Sequence, residues 1–325
     1  MSSTADIRSL PALQAWVLAA RPRTLTAALV PVVAGTVLAG VEGYDLAGWV
    51  FWCTLFAAVA IQIGTNLVND LIDFKKGADT GARVGPVRVT QQGLLSPAQV
   101  ARGAVIAFGV ALLLGVPLVW QGGAPILIIG LLSIMFGYAY TGGPFPLAYR
   151  GLGEPFVILF FGVLAVSGTH LLQSGELSPM ATVAGLQTGL LATVLLVINN
   201  YRDAPQDGQV GKRTLAVRFG LRFARAEVVV CVLLPFLLSA VWVGAGWYGA
   251  GLTPLVLLPL ALGLSRRAIE TAPGAACNPL LGRAAALHLL FGICLALGLL
   301  LDGGSGERAV SPEPGEELRS VQWQA

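Results

Sequence analysis

Two short acid-rich segments contain the residues of this sequence whose types and spacing could do chemistry. Each begins with asparagine and continues with aspartates three or four positions apart, a spacing that places side chains on one face of a helix. The candidates are Asn66, Asn69, Asp70, Asp73 and Asp79 in the first segment, and Asn199, Asp203 and Asp207 in the second. Because each segment follows a long apolar stretch, we expect the two acid clusters to face each other at one end of a helical bundle.

Glycine and proline interrupt these two segments. Gly77 favours a helix end, which would let Asp79 turn back toward the other acids. Pro205 disfavours helical geometry at the residue before it, so a distorted final turn is predicted ahead of Asp207.

The acids form an oxygen-only ligand set without a nearby histidine or cysteine, which indicates Mg²⁺ rather than zinc. Mg²⁺ is commonly held by one or two carboxylates together with substrate phosphates, so the segments predict a diphosphate site. The predicted metal ligands are Asp70, Asp73, Asp79, Asp203 and Asp207. Nearby cations would neutralise a leaving diphosphate, and the candidates are Lys76, Arg88, Arg202, Lys212 and Arg213. The alternative is that the aspartates are solvated helix ends, but two matched clusters favour a metal–phosphate site.

Membrane helices must position these residues. Hydrophobic residues make up 55% of the 325 residues and charged residues only 11%, with a mean hydropathy of +0.76. A soluble domain could not cover its surface with so few charges. A membrane span needs about 20 mostly apolar residues. We therefore predict an all-α membrane protein with nine spans, at residues 24–41, 47–68, 102–120, 124–141, 155–173, 180–200, 226–246, 248–265 and 284–302.

Basic residues are distributed unequally between the two sides of these spans. All but two of the 20 lysines and arginines fall on one side, together with both acid-rich segments. The positive-inside rule then places the N-terminus and these segments in the cytoplasm and the C-terminus outside. This pattern predicts a multi-pass protein of the cell inner (plasma) membrane.

The chain is predicted to form one transmembrane domain over residues 1–302, followed by a disordered tail over 303–325 that is rich in Gly, Ser, Pro and Glu. The four cysteines are scattered and lack a Cys-x-x-Cys pair, so we interpret them as packing residues. His170 and His288 lie in apolar spans and are interpreted in the same way. The net charge of +3 does not indicate a nucleic-acid-binding surface.

The motifs resemble those of the UbiA superfamily of intramembrane prenyltransferases. The resemblance runs from Arg21 to about Gly220. It is carried by Asn69-Asp70-x-x-Asp73, by Arg88 with Gly93, and by Asp203-x-x-x-Asp207 with Gly211-Lys212-Arg213-Thr214. The segment Tyr138-Ala-Tyr140-Thr-Gly-Gly-Pro144 with Tyr149-Arg150-Gly-Leu-Gly-Glu154 most resembles the branch that acts on 1,4-dihydroxy-2-naphthoate.

This resemblance implies a nine-helix bundle of UbiA type. It also implies Mg²⁺-dependent transfer of a polyprenyl group from polyprenyl diphosphate to 1,4-dihydroxy-2-naphthoate, with decarboxylation, which yields the demethylmenaquinol of menaquinone biosynthesis. The prenyl tail would lie in an apolar channel open to the lipid bilayer.

The same resemblance assigns roles to particular residues. Both aspartate clusters would be catalytic, and Tyr138 or Tyr140 would stabilise a carbocation-like centre through its ring face. The alternative for either tyrosine is an ordinary interfacial position. Arg23 is the candidate partner of the acceptor's carboxylate. The full set of substrate-binding candidates is Asn66, Asn69, Asn199, Arg23 and the five basic residues named above.

Two other functions stay open. A different acceptor, or a phytyl donor, is possible within the same superfamily, and the Thr141-Gly-Gly-Pro144 loop favours the naphthoate without fixing the tail length. A secondary transporter is the alternative from another class. Transporter sites usually lie near the bilayer midplane, whereas these acids cluster at one rim.

Overall fold

The computed structural model describes residues 10–77 and 84–304, and every regular element within these ranges is helical. The α-helices are α1 (Ala12–Ala20), α2 (Thr26–Val41), α3 (Gly48–Lys75), α4 (Pro97–Ala139), α5 (Gly153–Ile158), α6 (Leu164–Ser174), α7 (Pro179–Asp207), α8 (Leu215–Gly244), α9 (Tyr248–Leu252), α10 (Leu258–Glu270) and α11 (Asn278–Gly304). A π-helical turn joins α5 to α6, and a 3₁₀ turn joins α9 to α10. The predicted all-α membrane class is confirmed.

The number of membrane crossings depends on α4. Seven helical segments of the described chain are long and apolar enough to span a bilayer, and α1 with α2 forms an eighth candidate that is bent by 53°. The 43 residues of α4 would extend about 65 Å as one straight helix, roughly twice the hydrocarbon core. Instead the chain turns at Gly123, where φ is 64° and ψ is −152°. A Cβ placed on Gly137 would lie 3.6 Å from Cε1 of Phe108, so α4 is a hairpin. Counting its two halves separately gives up to nine candidate crossings among the described residues.

The central span is α7, which packs against α2, α5, α6, α8 and α11. Glycines allow its backbone to approach the α5–α6 segment closely. A Cβ placed on Gly189 would lie only 2.7 Å from the carbonyl oxygen of Ile158, and one on Gly162 would meet the backbone of Gly185. Small residues permit this kind of contact between membrane helices. The same packing continues toward the end of α7, where Asn200 donates to Glu154 at the start of α5, close to the second acid segment.

The loop of residues 84–95 connects the first acid segment to α4. A capping box fixes the end of this loop: Ser96 Oγ accepts from the backbone N–H of Gln99 over 3.3 Å, and Gln99 Oε1 accepts from the backbone N–H of Ser96 over 2.8 Å. Gly93 adopts a φ of +70° in the turn before it, a conformation that glycine tolerates best. The loop therefore enters α4 in a defined direction.

The predicted distortion at Pro205 is wrong, because α7 stays helical through to Asp207. Pro205 is exposed, so its ring finds room outside the bundle. Past it, the Gly208 N–H donates to the Ala204 carbonyl and the Lys212 N–H donates to the Asp207 carbonyl. Two other predictions, the position of Asp79 and the tail from residue 305 onward, lie outside the described residues.

The two histidines pack between helices, as the sequence predicts. Nε2 of His170 lies 2.6 Å from Oε2 of Glu42 and thereby joins α6 to the end of α2. Nδ1 of His288 lies 3.3 Å from Oγ1 of Thr26 and joins α11 to the start of α2. Their hydrogen-bond partners, Glu42, Ser174, Glu176 and Thr26, lie outside both acid-rich segments.

Candidate active site

Asp70 lies near the end of α3 and is only 2% exposed. The backbone N–H groups of Val89 and Thr90 donate to its two carboxylate oxygens, each over 3.2 Å. Two backbone donors stabilise the ionised form of a carboxylate and fix its direction. The 84–95 loop therefore positions Asp70.

Asp73 lies one turn farther along α3 and has two side-chain partners. Nη2 of Arg88 donates to Oδ2 of Asp73 over 3.1 Å, and to Oδ1 of Asn69 over 3.3 Å. The hydroxyl of Tyr149 donates to Oδ1 of Asp73 over 3.0 Å. Arg88 and Asp73 are both buried, and a buried ion pair depends on such geometry to offset its desolvation. Asn69, Asp73 and Arg88 thus form one connected group.

The second acid segment has its own cations. Arg202 holds Asp203 through two hydrogen bonds, Nε to Oδ1 over 2.7 Å and Nη2 to Oδ2 over 2.6 Å. Nζ of Lys212 lies 3.4 Å from Oδ2 of Asp207. The bidentate pair is the stronger of the two arrangements, because guanidinium geometry matches a carboxylate.

The two acid segments converge at one end of the bundle. The Asp207 carboxylate interacts electrostatically with both Asp203 and Asp73. The phenol of Tyr140 interacts electrostatically with both Asp73 and Asp207. Like charges in a poorly solvated site repel one another unless cations offset them, and Lys212 supplies such an offset.

Tyr149 is a site residue that the search for acids and bases missed. Besides donating to Asp73, its ring lies 4.2 Å from Nζ of Lys76 and 5.9 Å from Nζ of Lys212, measured to the ring centroid. Its carbonyl accepts from the backbone N–H of Arg213 over 3.0 Å. Tyr149 therefore contacts both acid segments. The signal in the sequence was the Tyr149-Arg150-Gly-Leu-Gly-Glu154 motif, which supports the family resemblance but does not reveal a role by residue type.

A mostly apolar cavity of about 400 Å³ lies beside the acids. It is bounded by α2, α3, both halves of the α4 hairpin and the α5–α6 segment. Aromatic rings line the end nearest the acids: Phe136, Tyr140, Phe156 and Phe160. Leu172 and Trp120 line the other end, and Trp120 is 83% exposed on the outer surface of the bundle. The cavity therefore opens at the outer surface of the bundle near Trp120.

Only one of the two candidate tyrosines lines the cavity, and Arg21 rather than the predicted Arg23 lies near the site. Tyr140 lines the cavity, whereas Tyr138 is 51% exposed and is not part of the lining. Arg23 is exposed in the turn between α1 and α2. Arg21, which has a left-handed backbone (φ 53°), interacts electrostatically with the Tyr140 phenol. The rotation of α4 decides which of the two tyrosines faces the site, and the turn between α1 and α2 decides which of the two arginines does. Sequence spacing alone does not reveal either.

Other candidate side chains have structural partners. Nδ2 of Asn66 donates to the Ala20 carbonyl and to Oγ1 of Thr24, both over 3.0 Å, and so fixes the turn between α1 and α2. Asn199 donates to the carbonyl of Leu195 in its own helix over 2.9 Å. Arg202 is occupied by Asp203, and Nζ of Lys76 donates to the Thr141 carbonyl over 2.9 Å.

The neighbour of Asn199 proves to be the more connected amide. Nδ2 of Asn200 donates to Oε1 of Glu154 over 2.7 Å, and both side chains are buried. Glu154 is within electrostatic range of Tyr140 and of Glu227 on α8. Asn199 was predicted as a site residue because it is spaced by four residues from Asp203, as Asp203 is from Asp207. In the structure, it is Asn200 that α7 directs toward α5.

The carboxylates of the two acid segments fit an Mg²⁺ ion whose coordination is completed by phosphate oxygens. Within residues 10–77 and 84–304, no three acid, histidine or cysteine side chains lie close enough to form a metal site by themselves. The acids instead form two pairs, Asp70 with Asp73 and Asp203 with Asp207. Arg88 pairs with the first, and Arg202 and Lys212 pair with the second. Such an arrangement suits a metal that takes one or two carboxylates and completes its shell with phosphate oxygens.

Comparison with known proteins identifies the family. Residues 28–291 match the model of the UbiA prenyltransferase family. The chain is 33% identical over 302 residues to 1,4-dihydroxy-2-naphthoate octaprenyltransferase of Haemophilus influenzae, covering 89% of this chain and 96% of that protein. It is 35% identical over 296 residues to the enzyme of the same name from Escherichia coli, covering 89% and 96%.

The fold agrees with these matches. A solved structure of a UbiA homologue from Archaeoglobus fulgidus bound to GPP and Mg²⁺ superposes with a TM-score of 0.58 at 15% identity, covering 87% of this chain and 99% of that one. Because the family match covers most of the chain and the relatives match over nearly their whole length, this integral membrane protein belongs to the UbiA prenyltransferase family.

Proposed function

We propose that this protein transfers a polyprenyl group from polyprenyl diphosphate to 1,4-dihydroxy-2-naphthoate, with loss of CO₂, giving demethylmenaquinol for menaquinone biosynthesis. Its relatives of this name support the choice of acceptor. The observation that carries the proposal is the position of Tyr140, which lines the apolar cavity and interacts electrostatically with Asp73 of one acid pair and Asp207 of the other.

The cavity explains why such a reaction belongs in a membrane. Exposing each CH₂ group of a prenyl tail to water would cost about 0.8 kcal/mol, whereas passage from the bilayer into an apolar cavity avoids that cost. The lining supplies aromatic and aliphatic surface along its length. The diphosphate head of the same donor would then lie at the rim, which is the end of the bundle that carries the two acid segments and their cations.

The rim offers the groups that a diphosphate needs. We propose that Asp70, Asp73, Asp203 and Asp207 hold Mg²⁺, and that Asp79 belongs to the same set. Bound Mg²⁺ would neutralise phosphate oxygens and so favour diphosphate departure. Lys76 and Lys212, spaced by the Tyr149 ring, provide further positive charge for the departing group.

The transfer step follows from the charges. The allylic C–O bond of the donor breaks and diphosphate leaves with the electron pair. A ring carbon of the naphthoate supplies the electron pair for the new C–C bond and then loses its proton. The carboxylate leaves as CO₂, and the electron pair of its broken bond to the ring takes up a proton. Tyr140 presents its ring to the developing carbocation, and the apolar lining excludes water that would otherwise capture it.

We further propose that residues 1–302 form one catalytic domain in the cell inner membrane. The positive-inside rule supports a cytoplasmic N-terminus and rim, and an extracytoplasmic C-terminus. The rim is then where water-soluble naphthoate reaches the site. A reporter enzyme that is active only in the cytoplasm, fused after Ala325, should be inactive, and activity there would reverse the assigned orientation.

A direct assay tests the reaction. Purified protein in lipid nanodiscs is incubated with Mg²⁺, farnesyl or longer polyprenyl diphosphates, and one acceptor at a time. We expect the prenylated, decarboxylated product only with 1,4-dihydroxy-2-naphthoate, identified by its mass. Product with 4-hydroxybenzoate alone would favour a different acceptor, and equal turnover of phytyl diphosphate would favour a phytyl donor. The absence of transfer to every acceptor would overturn the proposal and leave a transporter to be tested.

A further inference from the structure

Asn278 begins α11, far from both acid segments in the sequence, yet its side chain links them. Oδ1 of Asn278 accepts from Nη1 of Arg202 over 3.1 Å. Nδ2 of Asn278 donates to the carbonyl oxygen of Val84 over 2.9 Å. One amide group therefore makes both contacts, using its acceptor on one side and its donor on the other.

Each contact leads directly to a pair of acids. On one side, the remaining nitrogens of Arg202 hold Asp203. On the other side, Val84 begins the loop whose backbone amides hold Asp70. The same loop carries Arg88, which holds Asp73. A continuous series of hydrogen bonds thus runs from Asp203 through Asn278 to the loop over the first acid pair.

We propose that Asn278 is a positioning residue that couples the two acid segments, setting where the 84–95 loop stands relative to Asp203. Arg202 is 1% exposed, so its guanidinium cannot turn to water if a partner is lost. Two of its nitrogens are fixed by Asp203, and Asn278 fixes the third without adding a charge that would compete for the ion pair. The contact with Val84 then fixes the start of the 84–95 loop relative to Arg202.

Asparagine is the residue type that this arrangement requires. Aspartate has similar size but lacks the donor for Val84, and it would add a second negative charge beside Arg202. Leucine has similar volume but neither donor nor acceptor, so it would leave the buried Arg202 guanidinium and the half-buried Val84 backbone without that partner. The two substitutions therefore remove one link and both links, respectively.

Hydrogen–deuterium exchange in the full-length protein tests the coupling without any assay of activity. The backbone amides of Val89 and Thr90 report directly on the hold over Asp70. We expect their exchange to rise at least tenfold in Asn278→Leu and Asn278→Asp, with both proteins still folded. The matched control is Arg266→Gln, which breaks an exposed ion pair with Glu270 on the neighbouring α10 and should leave these amides unchanged. Unchanged exchange of Val89 and Thr90 in Asn278→Asp would overturn the proposal, including when Asn278→Leu fails to fold.

A kinetic measurement separates positioning from simple loss of stability, and this arm rests on the proposed function. In Asn278→Asp we expect KM for polyprenyl diphosphate to rise at least fivefold, with KM for the naphthoate within twofold of wild type and the melting temperature within a few degrees. Equal changes in both KM values, or a melting temperature that falls with unchanged KM values, would indicate a merely structural residue and refute the coupling. If the wild-type protein transfers no prenyl group, the proposed function fails, whereas the exchange experiment still decides the role of Asn278.

Discussion

Tyr149 donates a hydrogen bond to Asp73 over 3.0 Å while its own carbonyl accepts from the backbone of Arg213 over 3.0 Å. The ring between these contacts lies 4.2 Å from Nζ of Lys76. One residue of the loop between α4 and α5 therefore meets the first acid segment through its side chain and the second through its backbone. Such a residue can set the distance between the two halves of a diphosphate site.

Replacing Tyr149 should separate its two side-chain contributions. Tyr149→Phe removes the donor to Asp73 but keeps the ring beside Lys76. A hydrogen bond to a charged group contributes about 1.5–3 kcal/mol, so we expect kcat/KM for the diphosphate to fall by roughly 10- to 100-fold. Tyr149→Leu also removes the cation–π contact, so its kcat/KM for the diphosphate should be lower still. Steady-state kinetics in nanodiscs provides the measurement, and equal activity of Tyr149→Phe and wild type would show that the Asp73 contact has no catalytic consequence.

Each acid pair should be indispensable. Asp70→Ala and Asp203→Ala remove carboxylates that we propose as metal ligands, so we expect turnover to fall by at least about a hundredfold with the melting temperature retained within a few degrees. Asp45→Ala is the matched control, because Asp45 is an exposed acid in the loop between α2 and α3. Full turnover by either active-site variant would remove the proposed role of that pair.

Removing metal should abolish transfer reversibly. The Asp207 carboxylate interacts electrostatically with those of Asp73 and Asp203, and a divalent cation shared with diphosphate would relieve their repulsion. We expect chelation with EDTA to reduce activity to background and added Mg²⁺ to restore it. Asp207→Asn should need about tenfold more Mg²⁺ for half-maximal rate. Activity that is indifferent to EDTA would contradict the metal site.

The cavity can be filled without disturbing the protein around it. Gly130 lines the cavity, and a Cβ placed there would have nothing within 4 Å. Gly130→Phe should project into this space and lower transfer from long donors more than from farnesyl diphosphate, by at least about fivefold in relative kcat/KM. Gly109→Phe is the control on the same hairpin: a Cβ there also has nothing within 4 Å, but Gly109 is not part of the lining. Equal effects of the two variants on all donor lengths would show that the tail does not use this cavity.

The buried contact between Asn200 and Glu154 should contribute to stability. Asn200→Leu removes the amide that donates to Oε1 of Glu154, which leaves a buried carboxyl with less compensation, so we expect a loss of about 1–3 kcal/mol. Thermal unfolding in detergent measures this loss. The double variant Asn200→Leu/Glu154→Leu should recover part of it, because no polar group is then left without its partner. Additive losses in the double variant would exclude this pairing.

Much of the fold could be predicted from the sequence because apolar length and charge asymmetry are local quantities. Up to nine candidate crossings agree with the nine predicted apolar stretches, and the α4 hairpin turns at the predicted break between the third and fourth spans. The distortion predicted at Pro205 is wrong for a tertiary reason. An exposed position allows the proline ring to point away from the bundle, and helical geometry survives to Asp207.

The roles of individual side chains were less predictable. Spacing places Asn199 on the face of Asp203, yet α7 turns Asn200 toward Glu154. Arg21 and Arg23 are two residues apart in the same motif, and a left-handed residue in the turn decides which of them approaches Tyr140. Helical periodicity gives the relative directions of side chains on one helix, but not the rotation of that helix in the bundle.

The sequence by itself determined that the chain lies in a membrane, that its acids form two segments at one rim, and which family it resembles. Tertiary structure alone decided which groups hold each acid, which tyrosine lines the cavity, and that Asn278 contacts both Arg202 and Val84. The physical reason is the range of the contacts. Residue type and spacing report interactions within a few turns of one helix, whereas the Asn278–Val84 bond joins residues 194 positions apart and exists only once the helices have packed.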